Sequence, residues 1–164
     1  MRFTIEQRFA APLDAVEAAF VDPAMLAAMA ARHELGRPVL LAHVDRGSSV
    51  SQQVRYAFTG HLSPAVTRVL DPHRLTWVED SELDRATHRT DLTIHPDHYA
   101  DRLSCSGTIA LDPVAGGTRR TADGDLTVRF PLVASKVERA IVAGMHDHAG
   151  VEARFVQAWL DSLG

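Results

Sequence analysis

An α+β fold, with a seven-stranded curved antiparallel sheet, two short helices and one long C-terminal helix, is predicted by three observations. Residues 131–160 carry one unbroken amphipathic helix pattern. Almost everything between Arg37 and Phe130 reads as consecutive strands. The connections between those strands are short, so neighbours pair in order. A curved sheet wrapped around a single helix encloses space, which points to a binder or modifier of an apolar small molecule.

The first strand is marked by Phe3, Ile5, Gln7 and Phe9 alternating with Arg2, Thr4, Glu6 and Arg8, the period of a strand with one buried face. Ala11 and Pro12 end it. Two short helices are expected at 13–20 and 23–32, the second with Asp22 at its N-cap and Pro23 at its first helical position. Gly36 and Pro38 switch the chain to strands at 39–44 and 50–58, joined by a hairpin turn through Asp45, Arg46, Gly47 and Ser48. In the second of these, Val50, Gln52, Val54, Tyr56 and Phe58 share a face. Ser63 and Pro64 break the pattern of 60–71, which is assigned as a connection. Strands at 75–80, 85–94, 101–111 and 118–130 complete a meander, with turns at 81–84, 95–100 and 113–117.

Antiparallel register requires opposed residues to point to one face. The less polar faces are Ala86, His88, Thr90, Leu92 and Ile94, then Leu103, Cys105, Gly107, Ile109 and Leu111, then Ala122, Gly124, Leu126, Val128 and Phe130. Cys105, Gly107, Ala122 and Gly124 cluster there as small side chains, which means close helix approach or open space.

In the terminal helix, Val133, Val137, Ile141, Met145, His148, Val151, Phe155 and Trp159 fall in one stripe at 100° per residue, opposite Lys136, Arg139, His146, Asp147 and Arg154. Thirty residues would span about 45 Å, enough to cross the mouth of a sheet. Charges interrupt its apolar runs well short of the roughly twenty residues of a membrane span, so no membrane segment is expected.

At 164 residues the chain fits one domain, residues 1–164. A net charge of −4 without a Lys/Arg cluster gives no footprint for nucleic acid. Cys105 is the only cysteine and makes no internal disulfide. The chain enters its first strand at Arg2 without an apolar leader, so a reducing cytosol is the expected compartment. Glycine-rich phosphate loops, serine nucleophile elbows and paired catalytic carboxylates are absent, and no cofactor is expected.

The segments Arg55-Tyr-Ala-Phe-Thr-Gly-His-Leu, Arg74-Leu-Thr-Trp-Val-Glu, Tyr99-Ala-Asp-Arg-Leu-Ser-Cys-Ser-Gly and Gly117-Thr-Arg-Arg-Thr-Ala-Asp-Gly-Asp-Leu, together with the element order along the full length, resemble the START-like superfamily, also called SRPBCC. That superfamily includes the birch pollen allergen and the polyketide cyclases. The segments look like an uncharacterised branch common in high-GC bacteria, a domain of unknown function. The resemblance implies a helix-grip fold with an apolar tunnel between sheet and last helix. It carries over no active-site residues, because the superfamily shares no catalytic set.

Among chemical candidates, His148 lies near the centre of the apolar stripe and Glu152 one turn beyond it, an i, i+4 pair on a face that should be dry. In a tunnel they would hydrogen-bond a ligand head group, or the imidazole would act as a general base oriented by the carboxylate. Solvation near the tunnel mouth, or a satisfied core histidine, is the bland alternative. His88 is a second inward candidate, with Thr90 and Gln52 as polar companions. Cys105 has no local motif that would lower its pKa and is expected to be a small buried residue. His95, Asp97 and His98, or His146 and His148, lack zinc-site spacing, so no metal is expected. Tyr56, Phe58, Trp77, Leu92, Leu103, Met145 and Phe155 are assigned to the tunnel lining.

Three functions follow: binding, transport or sensing of a lipid-like or polycyclic molecule; a cyclase, dehydratase or hydrolase using His148; and a protein-interaction module with a filled interior.

Overall fold

Alternation between apolar and polar residues carries seven segments of the chain into strand, and the computed structural model describes all residues, 1–164. Strand β1 (Arg2–Phe9) is followed by helices α1 (Leu13–Val21) and α2 (Pro23–Ala30). Then come β2 (Val39–Asp45), β3 (Ser49–Ala57), the single-turn α3 (Pro64–Thr67), β4 (Thr76–Asp84), β5 (Arg89–Pro96), β6 (Leu103–Val114), β7 (Gly117–Val128) and the 30-residue α4 (Ala134–Leu163). The strands form one antiparallel seven-stranded sheet in the order β1-β7-β6-β5-β4-β3-β2. At about 1.5 Å per residue, α4 is long enough to lie across the whole concave face.

Local chemistry sets the boundaries. The Asp22 carboxylate accepts from the Ala24 N–H at 2.8 Å and Pro23 occupies the first turn, so α2 starts where its sequence satisfies the free N–H groups. In 60–71, expected as a connection, Pro64 opens α3, which turns Val66 and Leu70 into the core.

One turn lies four residues later than expected. The β4–β5 reversal is at 85–88 instead of 81–84, because Asp84 accepts from the Ala86 N–H at 2.9 Å and the Thr87 hydroxyl at 3.0 Å. Ser81 and Glu82, polar enough to resemble a turn, are strand residues paired with Gln52 and Ser51. His88, expected on the concave face, sits in that turn with φ +55°. The parity of Thr90, Leu92 and Ile94 is as expected.

Two apolar clusters hold the layers together. Near α1 and α2, Phe9, Val16, Met25, Met29 and Leu111 pack on Val156 of α4. Towards the other end of the helix, Leu70, Leu75, Leu126 and Phe130 pack on Val137 and Val142. Val137 and Val156 are fully buried, each contributing about 1.5–3 kcal/mol. The helix is thus anchored at both ends, and its middle is free to stand over a hollow.

The small residues of the concave face are partly taken up by a neighbour. A Cβ on Gly124 would fall 2.4 Å from the Phe3 ring, so glycine there lets Phe3 lie flat against β7. Gly107, opposite Gly124 in register, also lines the interior space.

Candidate functional site

Between the two clusters lies a cavity of about 270 Å³, walled by the concave face of β3–β7, by Phe3 and Ile5 of β1, and by α4. Register places Val54, Glu79, Ile94, Cys105 and Leu126 in one row across the sheet. Tyr56, Trp77 and Pro96 form the adjoining row on one side, and Gln52, Ser81, Leu92 and Gly107 the row on the other.

The α4 face over this space is hollow at its centre. Ile141, Met145, His148 and Glu152 occupy an arc about 60° wide and line the cavity, so they are only partly buried. Val142, Ala149 and Val156 on one flank, and Val137 and Gly144 on the other, are buried. The buried face is rotated by roughly 50° from the expected stripe, because the arc that faces empty space is not the arc that packs.

Of the expected lining residues, Gln52, Tyr56, Phe58, Trp77, Thr90 and Leu92 stand on the cavity wall, as do Leu103, Cys105, Met145, His148 and Glu152. His88 and Phe155 do not. His88 Nδ1 lies 2.7 Å from the Glu17 carboxylate of α1, drawn out of the sheet face by its left-handed backbone. Phe155 packs against the α1–α2 cluster, since the rotation of α4 carries it off the cavity arc.

The polar interior is built around three side chains, Glu152, Glu79 and Arg120, of which the last two were not expected there. Gln7 donates to the Ala149 carbonyl at 2.8 Å and to Glu152 Oε2 at 3.0 Å, and accepts from Arg120 Nη1 at 2.5 Å. Arg120 Nη1 is 3.7 Å from Glu152 Oε2, and its guanidinium covers the Phe20 ring at 4.3 Å. The guanidinium is therefore held on three sides by protein.

His148 stands at the rim of this network. Its Nε2 is 4.0 Å from Glu152 Oε1, beyond hydrogen-bond distance, and its ring meets Tyr56 edge-on with centroids 6.3 Å apart. Tyr56 stacks on Trp77 at 6.1 Å, and the buried Trp77 indole N–H has no hydrogen-bond partner. Burial, and then the negative charge of Glu79, holds the Tyr56 phenol well above its ordinary pKa.

Glu79 differs from every other carboxylate of the chain. Burial pushes its carboxyl up to about 7; Arg120 pulls the other way and Glu152 adds to the rise. No hydrogen bond contributes. The side chain retains some accessible surface although protein surrounds it, because the space it opens onto is the cavity. Period two carries the signal for both residues. Glu79 is two positions from Trp77 and Arg120 two from Ala122, so each shares the inward face of a residue expected to point inward.

Burial also raises the Cys105 thiol to about 11, which leaves it a poor nucleophile. No group of three or more His, Cys, Asp or Glu side chains is placed to hold a metal ion. No helix is long and apolar enough to cross a membrane.

Comparison with solved structures matches the architecture at low sequence identity. Protein TTHA0849 from Thermus thermophilus superposes with TM-score 0.68 at 16% identity, covering 100% of this chain and 99% of that one. The Zhui aromatase/cyclase from a Streptomyces species gives TM-score 0.66 at 13% identity over 98% and 93% of the two chains. Norcoclaurine synthase from Thalictrum flavum gives TM-score 0.55 at 17% identity over 95% and 86%. These likenesses establish the START-like helix-grip fold. No curated protein matches the sequence. Residues 4–160 match the model of a protein family of unknown function, DUF2505, and the chain belongs to that family.

Proposed function

We propose that this protein binds a hydrophobic small molecule, lipid-like or polycyclic, between the sheet and α4, as a carrier, store or sensor. The observation that carries this is the interior cavity of about 270 Å³, apolar over most of its wall with a few converging polar groups. That volume lies just below the range for small-molecule sites, about 300–1,000 Å³, and suits a small ligand. The helix anchored at both ends keeps the space from collapsing.

Two of the structures sharing the frame are named for catalysis, so the fold by itself allows turnover as well as binding. Turnover of the cyclase, dehydratase or hydrolase kind would draw on His148, whose ring reaches the cavity wall. The carboxylate that should orient it is instead committed to Gln7 and stands beside Arg120. Binding therefore has the better support. A filled interior acting as a protein-interaction module is disfavoured by the volume of the space.

The test is native mass spectrometry of the protein purified from its own host, paired with uptake and displacement of a lipophilic fluorescent dye. A co-purified apolar species and saturable dye binding are expected. Absence of both overturns the proposal. A substrate consumed by the wild type and spared by a folded His148→Ala variant would establish turnover instead.

A further inference from the structure

The class of ligand follows from the charges inside the cavity, given that the cavity holds a hydrophobic small molecule. We propose that the ligand is a hydrophobic amine, with its ammonium held at Glu79 beside Tyr56 and Trp77 and its apolar body lying along Phe3, Ile94, Leu103 and Leu126.

Around the cavity, Glu79 of β4 and Glu152 of α4 face a single guanidinium, Arg120 of β7. Arg120 is already engaged by Gln7 and Glu152, and its face is covered by Phe20. Glu79 is thus left without an ion-pair contact or a hydrogen-bond donor of its own, and feels the shared Arg120 only through space. An enclosed carboxylate in that position either takes up a proton or waits for a cation. An anionic ligand would meet two carboxylates and an occupied arginine, so it is repelled. A cation finds the reverse: a free carboxylate and two neighbouring aromatic rings whose faces attract positive charge.

The titratable groups nearest Glu79 are Arg120, Glu152, His148, Tyr56 and Cys105, with Glu17 of α1, Asp123 of β7 and His98 also on the cavity wall. None but Arg120 carries a permanent positive charge. The proton balance follows. Above about pH 7 an ammonium meets an ionised Glu79. Below it, Glu79 must release its proton for the pair to form, so affinity for the amine falls as pH falls.

The experiment uses three probes with one bicyclic body: naphthylmethylamine, naphthylmethanol and naphthoate, titrated calorimetrically into the full chain. Near about pH 8 the amine is expected to bind about tenfold tighter than the alcohol, with naphthoate the weakest. Between about pH 8 and 6 the amine should lose about fivefold in affinity while the alcohol does not. In Glu79→Gln the amine's preference over the alcohol should collapse to about onefold. Circular dichroism establishes that the variant is folded, and the wild-type pH titration gives an independent reading should it not be.

Alcohol binding as tightly as amine, or an amine preference that survives Glu79→Gln, overturns the amine assignment and leaves the cavity function standing. Dye uptake with none of the three probes bound does the same. Failure of the dye and all three probes overturns both.

Discussion

Gln7 and Glu152 are joined by a 3.0 Å hydrogen bond across 145 positions of sequence, tying the first strand to the last helix at the cavity wall. Gln7 is 5% exposed and also receives the Arg120 guanidinium, so one amide serves two charged groups. Gln7→Leu keeps the volume and removes all three of its hydrogen bonds, to the Ala149 carbonyl, to Glu152 and from Arg120, leaving two enclosed charges short of a partner. The expected cost is about 1–3 kcal/mol in urea unfolding. A loss below about 0.5 kcal/mol would show that water or rearrangement replaces the amide and that the network does not brace α4.

Glu79 should make the protein less stable as pH rises. Its folded pKa of about 7 lies above the ordinary 4.5, so between those values the folded state holds a proton that the unfolded state has lost. Stability is unaffected by this group below about pH 4.5, declines through the window, and is lower by about 3 kcal/mol once both states are ionised. Glu79→Gln removes this dependence. Urea unfolding of wild type and variant at about pH 4 and 8 should give curves that separate only at the higher pH. A constant difference would mean that Glu79 is already paired or solvated.

How far the sequence discloses such a site depends on what each residue's neighbours require of it. The alternation of Val50, Gln52, Val54 and Tyr56 announces a strand and its face, because a packed sheet tolerates no other period. The β4–β5 turn is misplaced because Ser81 and Glu82 have turn-like chemistry, yet pairing with β3 keeps them extended. Glu79 and Arg120 are hidden for a related reason. Charge on a strand normally means solvent, and only their parity with Trp77 and Ala122 shows that these two point inward. The rotation of α4 is not legible at all, since hydrophobicity marks His148 and Glu152 as anomalies in a packed face when they are members of an open one.

Gly144 controls the width of the cavity. A Cβ at this position would fall 2.6 Å from two carbons of the Phe58 ring and 3.2 Å from the Gly60 Cα. The ring is a movable side chain on the cavity wall, and its escape from the helix is into the open space. Gly144→Ala should therefore gain up to about 1 kcal/mol of helix propensity and lose a similar amount in displaced packing, giving a small net change in stability. Dye affinity is expected to fall several-fold, by about 1 kcal/mol, as Phe58 fills part of the site. Unchanged affinity together with a large drop in stability would place the strain in the Gly60 backbone instead.

His88 and Glu17 fasten α1 to the β4–β5 turn. The imidazole Nδ1 is 2.7 Å from Glu17 Oε2, with the glutamate 8% exposed and the histidine at the surface. His88→Ala strands a mostly buried carboxylate without its partner, at a cost of about 1–2 kcal/mol. Glu17→Gln retains a group able to hydrogen-bond the ring and should cost less. With Glu17→Ala, which does remove the contact, the losses should not add to those of His88→Ala in the double variant, because the contact can be removed only once. Since Glu17 also lines the cavity, amide hydrogen exchange in α1 should quicken in His88→Ala while the Ala149–Val156 stretch of α4 stays protected. Equal loosening of both helices would mean that the pair supports the whole cluster at this end, and additive losses would mean that the two side chains stabilise the fold separately.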